Sequence, residues 1–344
     1  EAVGRQGAQN FPHGIAILTR ADYFSLGNRN DSYLEIAPSV AIFGEYKKPV
    51  IRHLYTVKLF HWDISIRTLA SKSLNKLTAL DPALMASEVI PFLLEKCLDD
   101  RNLEVRHGGV LGVAETILAL AELNLIVDAT SEETLTNISA IVSKIEKKRL
   151  YRGRGGEIMR SAVCRLIQCI STARVPLNVR DQVGLLDTVD ASIPHPSEPI
   201  QDSACKALES LTVAYFSVGE NGPSQRLQTR VVDKFVSIVA ESDNPAVTRG
   251  YALALGYLPA KLLAPNHNTL SSVLDSLSMA DRHDGSVSSD GNAETRRNAL
   301  LSLARISETV GFGATWKSGP AVVQLSKQHV SDLFETFLHA RGDY

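Results

Sequence analysis

The sequence predicts an all-α protein, a solenoid of stacked helix hairpins, and three observations carry that prediction. A helix-start pattern recurs six times along the chain, a second apolar stretch of helical period precedes each copy, and a small residue stands at a fixed place in five of the six. Composition agrees, since 44% hydrophobic and 22% charged residues suit a well-buried globular chain better than a disordered or fibrous one.

The six copies are Asp63-Ile-Ser-Ile-Arg-Thr-Leu-Ala70, Asn102-Leu-Glu-Val-Arg-His-Gly-Gly109, Gly156-Glu-Ile-Met-Arg-Ser-Ala-Val163, Ser197-Glu-Pro-Ile-Gln-Asp-Ser-Ala204, Asn244-Pro-Ala-Val-Thr-Arg-Gly-Tyr-Ala252 and Asn292-Ala-Glu-Thr-Arg-Arg-Asn-Ala299. Aligned on Arg67, Arg106, Arg160, Gln201, Arg249 and Arg296, they fall 39, 54, 41, 48 and 47 residues apart. Asp63, Asn102, Gly156, Ser197, Asn244 and Asn292 are favoured N-caps, because a short polar side chain or open backbone satisfies the first unpaired amides. Pro245 fits the first helical position, where no amide is needed. Three residues after the aligned position stand Ala70, Gly109, Ala204, Ala252 and Ala299, with Val163 the exception, so another helix can come close. Leu74, Val113, Ile167, Leu208, Gly256 and Leu303 continue that face one turn later.

The preceding apolar stretches are residues 49–60, 87–98, 134–145, 179–193, 227–240 and 270–279. Each pairs with the helix after it as a hairpin, and hairpins of this kind stack because none covers both faces alone. The repeat is of HEAT/armadillo type. Residues 1–46 read as the end of a preceding repeat plus an irregular helical region, with 10–46 off the pattern. Residues 47–344 read as about six hairpins and a truncated final one whose first helix is 327–340, a single continuous solenoid segment. The opening Glu-Ala-Val-Gly-Arg, with no initiator Met or signal-like region, suits a piece of a longer protein. Residues 280–291 read as a mobile polar loop.

Thirty-six basic against 38 acidic residues leave a net charge of −2, too weak a field to argue for nucleic acid or an anionic membrane. No apolar run reaches the roughly 20 residues of a membrane span; the longest, 108–121, is interrupted by Glu115. Cys97, Cys164, Cys169 and Cys205 form no CxxC pair and lie in apolar helical stretches, which reads as reduced and intracellular.

No phosphate loop, His-Glu-x-x-His or Gly-x-Ser-x-Gly motif is present, and no His and Cys cluster has zinc spacing, so neither an enzyme nor a cofactor or metal site is expected. His107, beside Arg106 at a helix start, reads as a packed residue rather than a general base, since the motif gives its imidazole no partner. Gly108, Gly109 and Gly112 read as close-packing positions inside a helix. The recurring arginines read as a ladder stacked against acids in adjacent turns, which Gln201 interrupts. One feature points to partner binding, the basic connection Lys144, Lys147, Lys148, Arg149, Arg152 and Arg154. A solvated loop is the plain reading of it; the sharper one is a patch, Lys147, Lys148, Arg149, Arg152 and Arg154, that steers an acidic protein.

Particular residues go beyond a generic repeat. Gly4-Arg-Gln-Gly, Phe11-Pro-His-Gly-Ile, Ala21-Asp-Tyr-Phe, Gly27-Asn-Arg, His61-Trp-Asp, Val105-Arg-His-Gly, Ala114-Glu and Tyr151-Arg-Gly-x-Gly-Gly-x-x-Met-Arg-x-Ala-Val-Cys resemble the middle of the tubulin-folding cofactor D family, densely over residues 1 to about 170. The resemblance implies a HEAT-type chaperone, cytoplasmic and microtubule-associated, that binds β-tubulin. It implies cooperation with cofactors E and C and an Arf-like small GTPase in assembling and dissociating αβ-tubulin dimers. The GTP hydrolysed in that family's complex is tubulin's own, and no binding residue transfers as a short motif. The alternative is a HEAT scaffold of the nuclear-transport or phosphatase-adaptor kind.

Overall fold

The computed structural model describes residues 28–151, 155–216, 222–280 and 289–310, and among them every regular element is helical. The chain divides into two compact units, Glu1–Leu177 and Asn178–Tyr344. The first unit holds the hairpins α1/α2 (Gly44–Thr56, Ile64–Thr78), α3/α4 (Ile90–Lys96, Leu103–Glu122) and α5/α6 (Glu132–Lys147, Gly156–Thr172). The second holds α7/α8 (Val179–Asp190, Glu198–Leu211), α9/α10 (Gln225–Glu241, Pro245–Leu255) and α11/α12 (His267–Met279, Ser289–Val310). Within each unit second helices pack on second helices, α2 on α4 on α6 and α8 on α10 on α12, so the predicted HEAT-type stacking of hairpins is what forms.

Capping explains where these helices begin. Asp63 Oδ1 accepts from the Ser65 amide at 2.8 Å and Asn244 Oδ1 from the Ala246 amide at 3.0 Å. Asn102 and Ser197 hold their caps through extended backbone, without a side-chain bond. First helices are capped too: Ser131, Asn178 and Asn266 each accept from the amide three residues on.

Two of the expected caps are displaced. The cap of α6 is Gly155, at φ 84°, not Gly156, which is the first helical residue. Asn292 lies inside α12, so residues 289–291 are helical and not loop. Residues 1–27, 281–288 and the expected helix 327–340 fall outside the described residues. Residues 28–46 include three short helical pieces, Arg29–Asp31, the π-helical Ser32–Ile36 and Ala37–Ala41, before α1 begins at Gly44.

The small positions do what their size suggests. Ala70, Ala204, Ala252 and Ala299 are fully buried, as are Leu74, Val113, Ile167 and Leu208 one turn later. Helix α4 goes furthest, because almost every residue from Arg106 to Leu120 is buried against α2, α3 and α6. A β-carbon on Gly108 would stand 1.7 Å from the Leu59 carbonyl oxygen, and one on Gly109 2.9 Å from the Cys97 amide nitrogen. Glycine is therefore a requirement of contact here, which offsets its helix cost of about 1 kcal/mol.

The same contact recurs in the second unit, where a β-carbon on Gly250 would stand 2.1 Å from the Ile193 carbonyl oxygen. Gly108 and Gly250 are both the sixth residue after their caps, Asn102 and Asn244. Counted from the cap, Arg249 therefore corresponds to His107 rather than to Arg106, which corrects the register by one.

Arg67 and Arg106 do not stack on acids as the repeat predicts. Arg67 donates to the carbonyls of His61 (2.6 Å) and Trp62 (3.0 Å), and Arg106 to that of Asp99 (2.6 Å). Arg160 lies over the Tyr151 ring, 5.6 Å from its centroid. Arg249 does meet an acid, Glu294, and also the Pro196 carbonyl at 2.6 Å. Arg67, Arg106 and Arg249 are themselves buried, and the carbonyls of the turns entering the second helices satisfy them, since one guanidinium can donate to several at once. Gln201 does not interrupt the series: its Oε1 accepts from Arg249 Nε at 3.0 Å, just as His107 Nδ1 accepts from Arg67 Nε at 3.1 Å.

Ala70→Leu and Ala252→Leu are expected to overpack these contacts and cost about 1–3 kcal/mol each in urea or thermal unfolding. Two unchanged melting temperatures would mean that neither position faces a neighbouring helix.

Candidate functional site

Helix α5 carries Lys144 and Lys147 in its last turn, where the unpaired carbonyls of a helix end favour cations. The Leu150 amide then bonds the Ile145 carbonyl (3.2 Å) and the Arg149 amide the Glu146 carbonyl (2.9 Å). That pair of bonds is a Schellman closure and puts Arg149 in the left-handed region at φ 56°, where glycine is the usual residue. Lys147, Lys148 and Arg149 are all exposed. Lys148 Nζ reaches the Leu98 carbonyl at 3.4 Å and so ties the turn to the preceding hairpin, while Lys144 bonds Asn137 Oδ1 at 3.0 Å. Arg152 and Arg154 lie outside the described residues. The structure thus brings three of the five predicted side chains together on one turn.

The glycines beyond that turn have packing roles. A β-carbon on Gly155 would meet Leu103 Cδ2 at 2.1 Å, and one on Gly156 the Tyr151 carbonyl oxygen at 2.0 Å. Gly155 is thereby accounted for by the seating of α6 on the start of α4, and Gly156 by the closeness of the Tyr151 carbonyl in the turn before α6.

His107 is buried, and desolvation together with the neighbouring Arg67 pulls its pKa down to about 3. A neutral imidazole accepting from a buried guanidinium is a packing element, as its sequence setting suggested. The four cysteines are free and buried, and burial pushes the Cys169 thiol up to about 12. Among the described residues no group of His, Cys, Asp and Glu is placed to hold a metal ion, and no helix is long and apolar enough to cross a membrane.

Two polar pairings escaped sequence reasoning. Buried Glu115 of α4 takes Arg165 of α6 at 2.8 Å and Asn75 of α2 at 3.5 Å, a link through three successive second helices. Arg305 of α12 lies over the Tyr257 ring, 3.8 Å from its centroid. Partners in each pair sit a repeat apart, so only the stacked register could have revealed them.

Stacked hairpins of this kind define a HEAT-type helical-repeat protein. The chain is similar to Tubulin-specific chaperone D of Dictyostelium discoideum, 26% identical over 376 residues that cover 89% of this chain and 25% of that protein. It is also similar to Tubulin-folding cofactor D of Schizosaccharomyces pombe, 26% identical over 144 residues, 40% of this chain and 13% of that protein. These two relatives bear out the resemblance read from the residues, and the chain spans a quarter or less of their length. No protein-family model matches it.

Arg149→Gly should stabilise the fold by about 1 kcal/mol, since a left-handed position strains any residue with a β-carbon. A lower melting temperature in the variant would show that the arginine side chain is held by contacts that support the turn.

Proposed function

We propose that this chain is the platform segment of a tubulin-specific chaperone. It holds β-tubulin while αβ-tubulin dimers are folded, assembled and taken apart, and works with cofactors E and C and an Arf-like small GTPase in the cytoplasm, at microtubules. The observation that carries this reading is the similarity to a protein named Tubulin-specific chaperone D along 89% of the chain. The stacked second helices within each unit support it, because stacked hairpins offer extended surface to a large protein ligand. In this reading the chain contributes shape and contacts, and any GTP hydrolysis in the complex belongs to tubulin.

The turn Lys147, Lys148 and Arg149, extended in sequence by Arg152 and Arg154, is the proposed steering patch for an acidic partner. Exposed charges of this kind act mainly on encounter rates and little on the stacked core.

The chain should retain tubulin from cell extract, and neither a transport GTPase nor a phosphatase. Reversing the charge of Lys147, Lys148 and Arg149 should slow association with purified tubulin at low salt, and the difference should close as salt rises through about 0.15 M. Retention of a phosphatase or transport GTPase without tubulin would overturn the chaperone reading. Equal association rates across the salt series would return the turn to plain solvation.

A further inference from the structure

The second unit has a surface groove of about 510 Å³ that crosses three successive second helices, α8, α10 and α12. Its apolar lining is Pro199, Leu253, the ring of Tyr257 and Leu301, the last 49% exposed. A large aliphatic side chain held half out to water in a concave place is an unfilled contact.

The charges around this groove are unequally matched. Glu198 is held by Arg297 at 2.9 Å, an ion pair that reaches from α8 across α10 to α12, and Asp202 is held by Lys206 at 2.6 Å. Both acids of the lining therefore have cations already. Arg305 stacks its guanidinium on Tyr257, and among the described residues no carboxylate lies within ion-pair distance of it. Stacking on the ring satisfies the face of the guanidinium and leaves its N–H edge to donate to a newcomer.

We propose that this groove binds a segment of a partner protein in which a large apolar side chain lies close to an aspartate or glutamate. The apolar side chain covers Leu253 and Leu301, and the carboxylate takes the free edge of Arg305. An arginine fork recognises a carboxylate better than any neutral group, so the cation gives the groove its preference and the apolar lining most of its hold. This proposal stands on the second unit alone and does not depend on the tubulin reading.

A display library of short random peptides, panned on the full chain, tests it. Peptides pairing an acid with a large apolar residue should be enriched, and their binding should weaken about tenfold for both Arg305→Gln and Leu301→Lys. Both sites are on the surface, so unchanged melting temperatures would confirm intact folds. The proposal is overturned by no enrichment, by enrichment of basic peptides, or by binding indifferent to both substitutions. It is equally overturned if the chain forms a dimer that Leu301→Lys dissolves, since the occupant would then be a second copy.

Discussion

A helix hairpin cannot cover the inner side of its own second helix, so within each unit the second helices lie against one another, and the residues without bulk set how close they can come. Ala70, Ala204, Ala252 and Ala299 leave room along the shared face, and Gly108 and Gly250 let a helix press on a carbonyl in the turn of the preceding hairpin. That approach buries Leu74, Val113, Ile167 and Leu208 completely, which is where the hydrophobic stabilisation of the stack arises. Bulk at the small positions would separate the helices and expose that layer.

Close approach also buries polar groups, and the remainder of the design answers them. Buried Arg67, Arg106 and Arg249 find their acceptors in turn carbonyls at His61, Trp62, Asp99 and Pro196. Glu115 shows the same logic in mid-helix. Alone it would be an unpaired buried charge in an apolar run, but Arg165 and Asn75 reach it from the helices on either side. These contacts add orientation to a contact surface that apolar packing alone would leave free to slide.

Much of this was legible in the sequence because helices announce themselves locally. Asp63 and Asn244 cap as their residue types suggest, and the alanines mark the close face. The buried role of His107 and the packing role of Gly108 and Gly109 were equally readable from their place in the repeat. What a single sequence hides is the partner one repeat away. Beside Arg67 and Arg106 the expected acids are carbonyls, and a carbonyl has no residue type to read. The cap at Gly155 was missed by one residue because two glycines stand together and only the backbone angle separates them. The three basic side chains of the α5 turn were legible as a cluster, but the left-handed backbone under Arg149 was not, since glycine, its usual marker, is absent.

Hydrogen exchange across the first unit measures the central claim most directly. If second helices are held by mutual contact, the amides of Val110 to Leu120 in α4, buried on all sides, open only with the whole unit and exchange slowest, while those on the outer side of α5 exchange through smaller openings. Exchange in α4 as fast as in α5 would contradict the account, because α4 would then not be the helix against which its neighbours are built.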